Sequence, residues 1–169
     1  MWNDTDIPLA LFITFRCRGT WLHGDERGSI DRHHNAYGSP PISKNSDWKK
    51  YNVENLKGTP AYLFAKRRRS VEFAIRDTCE KRNWYLYAVN VRTNHVHAVV
   101  SVGDHKPSLV LHAFKANATR QMREDKCWEE EYSPWVDKGS RRLLWNERHI
   151  VSAVDYVVNG QGDDLPKFD

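Results

Sequence analysis

The segment that most limits the fold lies between two stretches of helical periodicity. Residues 84–91 read as a strand, Arg92-Thr93-Asn94 as a turn, and residues 95–102 as the hairpin partner. Before this hairpin, Val71, Ala74, Ile75, Thr78 and Cys79 share one helical face. Glu72, Arg76, Asp77, Glu80 and Lys81 share the other, and Asn83 ends the run. After the hairpin, a loop over 103–107 leads to Ser108, expected to cap a second helix reaching about Arg123. Leu111, Phe114, Ala118 and Met122 form its inner stripe. Residues 7–15 read as a first strand, 127–139 as loop, and 141–145 as a short last strand. A third helix is expected over 150–159, stopped by Gly160 and Gly162. The order predicts an α+β, ferredoxin-like βαββαβ frame with an antiparallel sheet and an extra C-terminal helix.

The 169 residues suit one domain spanning 1–169, with a long insertion at about 19–65 after the first strand. That insertion is rich in Gly, Pro, Asn, Asp and Ser, which favour turns. It also carries Trp21, Trp48, His23, His33 and His34, so full disorder is not the expectation. No apolar run approaches the ~18–20 residues of a membrane span. The Met-Trp-Asn-Asp start has no basic region followed by an apolar one, so no signal peptide is expected. Cys17, Cys79 and Cys127 are widely separated, which argues against a zinc ribbon, a CxxC redox motif or a disulfide framework. A reducing, cytoplasmic setting follows as the default. Twenty-six Lys and Arg against 22 Asp and Glu give a net charge of +4, which permits a nucleic-acid partner without requiring one.

The sharpest chemical signal is Asn94-His95-Val96-His97. Strand residues two apart share a face, so His95 and His97 point the same way and Val96 points into the core. Two such imidazoles can converge on one metal ion. The plainer alternative is a pair of surface histidines on a half-exposed strand. The second signal is Tyr156. On the last helix Ile150, Val151, Val154, Val157 and Val158 make one apolar stripe, and Tyr156 sits on the opposite side beside His149, Ser152 and Asn159. Packing of its own helix therefore does not account for it. It reads either as a rim tyrosine or as a phenol nucleophile helped by a base or a metal.

With these residues in place, the chain resembles the single-tyrosine (HUH) transposases of the IS200/IS605 type, and more closely their REP-associated tyrosine transposase relatives. The resemblance rests on 94–100 after a strand and on Asp155-Tyr156-Val157-Val158-Asn159-Gly160 in a downstream helix. Phe12-Ile13-Thr14-Phe15-Arg16, Gly19-Thr20-Trp21-Leu22, Gly24-Asp25-Glu26-Arg27-Gly28 and Leu144-Trp145-Asn146-Glu147-Arg148 add to it. It implies a metal-dependent endonuclease that cuts and rejoins single-stranded or hairpin DNA through a 5′-phosphotyrosine. His95 and His97 would hold Mg²⁺ or Mn²⁺, and Tyr156 would attack. The family often places a polar third ligand one turn after the tyrosine, where this chain has Gly160. Asn159 is the first expectation for that ligand, then Gln161 if the helix end unwinds, then His149.

Lys66, Arg67, Arg68 and Arg69, with Lys115, Thr119 and Arg123 on the second helix, offer phosphate contacts; the alternative is solvated helix faces. Trp21 offers base stacking or an anchor for the insertion. No membrane partner is expected, and a homodimer stays open. Two other functions remain compatible with the residues: an inactive DNA- or RNA-binding module on the same frame, and a metal-dependent phosphoesterase that uses water.

Overall fold

The computed structural model describes residues 6–19 and 60–168. In chain order the elements are β1 (Ala10–Arg16), α1 (Ala65–Lys81), β2 (Tyr85–Val91), β3 (His95–Ser101), α2 (Pro107–Glu124), β4 (Ser140–Leu144) and α3 (Glu147–Asn159). The strands form one sheet ordered β2-β3-β1-β4 with every neighbour antiparallel, as the βαββαβ reading requires. The β2–β3 hairpin inserts β3 next to β1, which leaves the two sheet edges to β2 and β4. Trp21, Trp48, His23, His33 and His34 lie outside the described residues.

Strand periodicity divides the sheet into two faces. Leu11, Ile13 and Phe15 of β1 and Val96, Ala98 and Val100 of β3 are buried in one core with α1 and α2. Val71, Ala74, Ile75 and Cys79 from α1 and Leu111, Phe114, Ala118 and Met122 from α2 close over them. Each large apolar side chain buried here contributes roughly 1.5–3 kcal/mol. The opposite face carries a smaller core of Ala10, Val99, Leu144, Ile150 and Val157, with Phe12, Ala88, Ala153 and Val154 packed against it. Among the described residues one helix, α3, packs on that face.

Several boundaries move from the expected places. Helix α2 starts at Pro107; its N-cap is Lys106 in extended conformation, and Ser108 is not the cap. Proline suits a first helical position because its fixed φ is helical and it has no N–H to leave unbonded. Helix α1 begins at Ala65 and takes the basic run into its first turns. It ends at Lys81 with Arg82 as its C-cap, and Asn83 follows with a φ of 57°, a left-handed conformation that asparagine tolerates. Residues 61–64 are already part of the packed fold rather than of an insertion. The Ala61 N–H bonds the Arg18 carbonyl and the Leu63 N–H bonds that of Thr93. Helix α3 starts at Glu147, three residues early, because the Asn146 side chain accepts the His149 N–H at 2.9 Å. Among the described residues no helix is long and apolar enough to cross a membrane.

Candidate active site

The site forms where the α3 face of the sheet meets the C-terminal end of that helix. Register sets its floor. Thr14 lies opposite His97 and Arg16 opposite His95 across the β1–β3 ladder, so all four share the α3 face. The two imidazoles stand with ring centroids 4.7 Å apart. His97 is 6% exposed and stacks on Phe12, with centroids 5.4 Å apart and planes 14° apart. Burial, then the neighbouring His95, pushes the His97 pKa down to about 4, against an opposing hydrogen bond that the imidazole donates to Gln161. His97 is therefore neutral at physiological pH and keeps a ring lone pair, as a metal ligand must.

Each imidazole is held from its Nδ1 side. Thr14 Oγ1 lies 2.8 Å from His97 Nδ1, and Asn94 Oδ1 lies 2.7 Å from His95 Nδ1. Both Nε2 atoms are left for the open side. There Gln161 Oε1 stands 3.2 Å from His95 Nε2, and the same side chain reaches His97. The Gln161 amide nitrogen donates to the Tyr156 carbonyl at 3.0 Å, which aims the amide oxygen at the histidines.

Tyr156 completes the cluster. Its ring meets His97 edge-on at 5.5 Å and Phe12 edge-on at 5.9 Å. One side of the residue is thus fixed while 50% of its surface is exposed. The helical wheel placed it wrongly, because the stripe that packs is not the stripe of valines. Ile150, Ala153, Val154 and Val157 face the sheet, whereas Val151 and Val158 are 68% and 58% exposed. At ~100° per residue Tyr156 lies about 60° from Ala153, on the flank of the packed stripe.

The third position differs from the first expectation. Asn159 is exposed and its amide donates to Asp155 at 2.8 Å, away from the histidines. His149 sits on an exposed part of α3, with its backbone N–H tied to the Asn146 cap. Gln161 is the residue brought to the pair, because the chain leaves helical geometry at Gly160. That glycine has its own constraint. A Cβ there would meet the Tyr156 carbonyl oxygen at 2.7 Å and the Tyr156 ring at 3.1 Å. A side chain one turn after the tyrosine has no room there, and it is the next residue whose side chain reaches the histidines.

The basic residues do not gather beside this site. Arg67 donates to the carbonyls of Cys127 and Tyr62 and lies over the rings of Phe64 and Trp128. Arg68 is buried and donates to the carbonyls of Leu63 and Pro166. Arg69 donates to that of Lys167. Lys115 donates to the carbonyls of Val136 and Lys138, and Arg123 to those of Glu130 and Glu131. These cations fasten loops and the tail to the helical layer on the far side of the sheet from the histidines. Of the run, Lys66 is exposed and borders a shallow groove with Arg69 and Asp125. Sequence reasoning missed Phe12 and Thr14. Their signal was alternation: both fall on the face of β1 opposite to Leu11, Ile13 and Phe15.

Two imidazole nitrogens and one amide oxygen suit a divalent ion, and none of the three is charged. An ion held by neutral ligands keeps its full charge for an anionic substrate. Among the described residues no cluster of three His, Cys, Asp or Glu side chains is placed to hold a metal ion.

Comparison with known proteins gives two findings. Residues 52–159 match the family described as IS200-like transposase. A solved structure of a REP-associated tyrosine transposase bound to a REP hairpin is similar in fold, with a TM-score of 0.53 at 14% identity. That likeness covers 93% of this chain and 69% of the other. No curated protein matches the sequence.

Proposed function

The chain belongs to the IS200-like transposase family, and from that premise we propose that it cuts and rejoins single-stranded DNA through a covalent bond to Tyr156. The observation that carries this reading is the cluster itself. One exposed-edged phenol is fixed against a buried, neutral histidine whose strand partner and a glutamine supply the remaining donor atoms.

In the proposed reaction the Tyr156 phenol oxygen attacks the scissile phosphorus. A Tyr156–phosphate bond forms, the bond from phosphorus to the 3′ oxygen breaks, and the phenol proton leaves to solvent while the 3′ oxygen takes one up. One phosphodiester replaces another, so the reverse attack by a 3′-hydroxyl rejoins a strand without an external energy source. A divalent ion, Mg²⁺ or Mn²⁺, held by His95, His97 and Gln161 would polarise the phosphate and orient it. The chain supplies the rest. Phe12 and His97 hold the phenol ring at one angle. The Gln161 amide ties the helix end that carries Tyr156 to the same residues that would hold the ion.

The similar solved structure holds a DNA hairpin, and a hairpin with a single-stranded flank is the substrate we infer for this chain. Its setting is the cytoplasm, where the three buried free cysteines stay reduced. The test is a labelled single-stranded hairpin incubated with Mn²⁺ and run on a denaturing gel. Wild type is expected to give a cleaved strand and a protein–DNA adduct, and Tyr156→Phe neither, with hairpin binding retained. Cleavage without an adduct would instead make water the nucleophile. Binding with no cleavage under any divalent metal would make the chain a DNA-binding module.

A further inference from the structure

We propose that Arg142, with Ser140 beside it on β4, binds the DNA phosphate backbone next to the scissile bond, so that the β4 side of the sheet is the track along which a single strand reaches Tyr156. The inference rests on the strand-cleaving reading of the site and adds to it the surface that holds the substrate.

Register places both residues on the face that carries the site. Across the β1–β4 ladder Arg142 lies opposite Phe12 and Ser140 opposite Thr14. Residues directly opposite in an antiparallel pair project from one face, with Cβ atoms about 4.5–5.5 Å apart. Phe12 stacks on His97 and meets Tyr156 edge-on, and Thr14 Oγ1 touches His97 Nδ1. Arg142 therefore stands one strand away from the ring that touches Tyr156. Leu144 follows the same alternation: it lies opposite Ala10, and both are buried in the core that α3 closes. Arg141 is the converse, opposite Ile13, which belongs to the core on the other face. Arg16, half-buried and opposite His95, adds a second cation to the face of the site, four residues along β1 from Phe12, or about 13 Å.

Charge and exposure point to a phosphate partner. Ser140 and Arg142 are both exposed. Among the described residues the Arg142 guanidinium has no hydrogen bond, ion pair or ring contact. The cations of the helical layer differ: Arg67, Arg68, Arg69, Lys115 and Arg123 donate to carbonyls of their own chain. A guanidinium presents its donors in a planar fork that matches phosphate oxygens two at a time. The Ser140 hydroxyl can donate to the next phosphate oxygen. Neither β1 nor β4 contains a carboxylate, so these strands hold no charge that would repel the backbone. The attacked phosphorus must lie in line with the Tyr156 oxygen, and a grip one strand away fixes the direction from which the backbone arrives.

The test titrates Tyr156→Phe protein, which should hold substrate without cutting it, with hairpin DNA that has or lacks a single-stranded flank, at several salt concentrations. The difference between the two probes is the contribution of the flank. Adding Arg142→Gln is expected to weaken binding of the flanked hairpin several-fold and to lower its salt slope by about 0.7, the share of one single-strand phosphate contact. Binding of the hairpin without a flank should not change. Arg142→Lys keeps the charge and should keep the slope. Arg141→Gln removes a cation of the same strand from the opposite face, and it should leave the contribution of the flank as it was. An unchanged slope in Arg142→Gln overturns the inference, as do equal losses in Arg142→Gln and Arg141→Gln, or equal affinity for the two hairpins without either change. If the wild type forms its adduct while both arginine variants bind alike, the track is refuted and the strand-cleaving reading stands. If Arg142 carries the slope of the flank but the wild type never forms an adduct, the track stands and the covalent reading falls.

Discussion

At the scale of single residues, the site depends on an aromatic floor that carries no chemistry of its own. Phe12 stacks on His97 and meets Tyr156 edge-on, so one ring sets the angle of both the proposed ligand and the proposed nucleophile. Phe12→Leu keeps most of the apolar volume and removes two ring contacts, each worth about 0.5–1.5 kcal/mol. Urea unfolding is expected to show a loss of roughly 1–2 kcal/mol, and adduct formation should slow markedly while hairpin binding changes little. Unchanged adduct kinetics would mean that Tyr156 is oriented by something else. The shared face of the histidines was legible in the sequence because two residues apart on a strand settle it, whereas the wheel singled out Tyr156 but set it opposite the stripe and not on its flank. Phe12 and Thr14 were not legible. Their role comes from the register of β1 against β3, and a register between strands separated by more than 60 residues is not written in either strand alone.

At the scale of elements, the last helix shows where wheel geometry stops being informative. Five apolar residues define a stripe, but burial selects Ile150 and Val157 and leaves Val151 and Val158 exposed. Ala153 and Val154 pack against the sheet beside them, which leaves Tyr156 on the flank where its ring meets His97. The helix start was also partly legible, since Asn146 is a good N-cap and Glu147 suits the positive end of the helix dipole. Asn146→Ala should cost ~0.5–2 kcal/mol. The helix end is more telling. Gly160→Ala places a methyl group 2.7 Å from the Tyr156 carbonyl and 3.1 Å from its ring. Its φ of −96° is open to alanine, so the effect arises from contact and not from backbone preference. Overpacking of this kind costs about 1–3 kcal/mol. The expected outcome is a modest fall in stability by thermal unfolding with a much larger fall in cleavage, because the displaced groups are the proposed nucleophile and the carbonyl that aims Gln161. Equal falls in both would place the strain away from Tyr156.

At the scale of the whole molecule, the segment that follows Gln161, the proposed third ligand, is held by the far side of the fold. After Gln161 the chain does not dangle. Arg92, in the hairpin turn, donates to the Asp163 carbonyl at 2.9 Å. Arg68 and Arg69, at the start of α1, take the carbonyls of Pro166 and Lys167, and the Arg69 guanidinium lies 5.5 Å from the Phe168 ring centroid. The basic run that suggested a grip on DNA thus strings the tail from the site to the helical layer. Composition revealed the cations, but not that backbone carbonyls of their own chain would occupy them. Among these arginines Arg92 is the useful one to change, since its bond is exposed and it is nearest to Gln161 in the chain. Arg68 is buried, and removing it would leave the carbonyls of Leu63 and Pro166 without that donor. Arg92→Ala is therefore expected to leave thermal stability within about 0.5 kcal/mol, as surface changes usually do. Amide exchange over 160–168 should quicken several-fold, and Mn²⁺ affinity should fall because Gln161 spends less time beside His95. Arg68→Met, by contrast, should lower stability clearly. Faster exchange of the tail in Arg92→Ala with unchanged Mn²⁺ affinity would show that the two histidines hold the ion without help from Gln161.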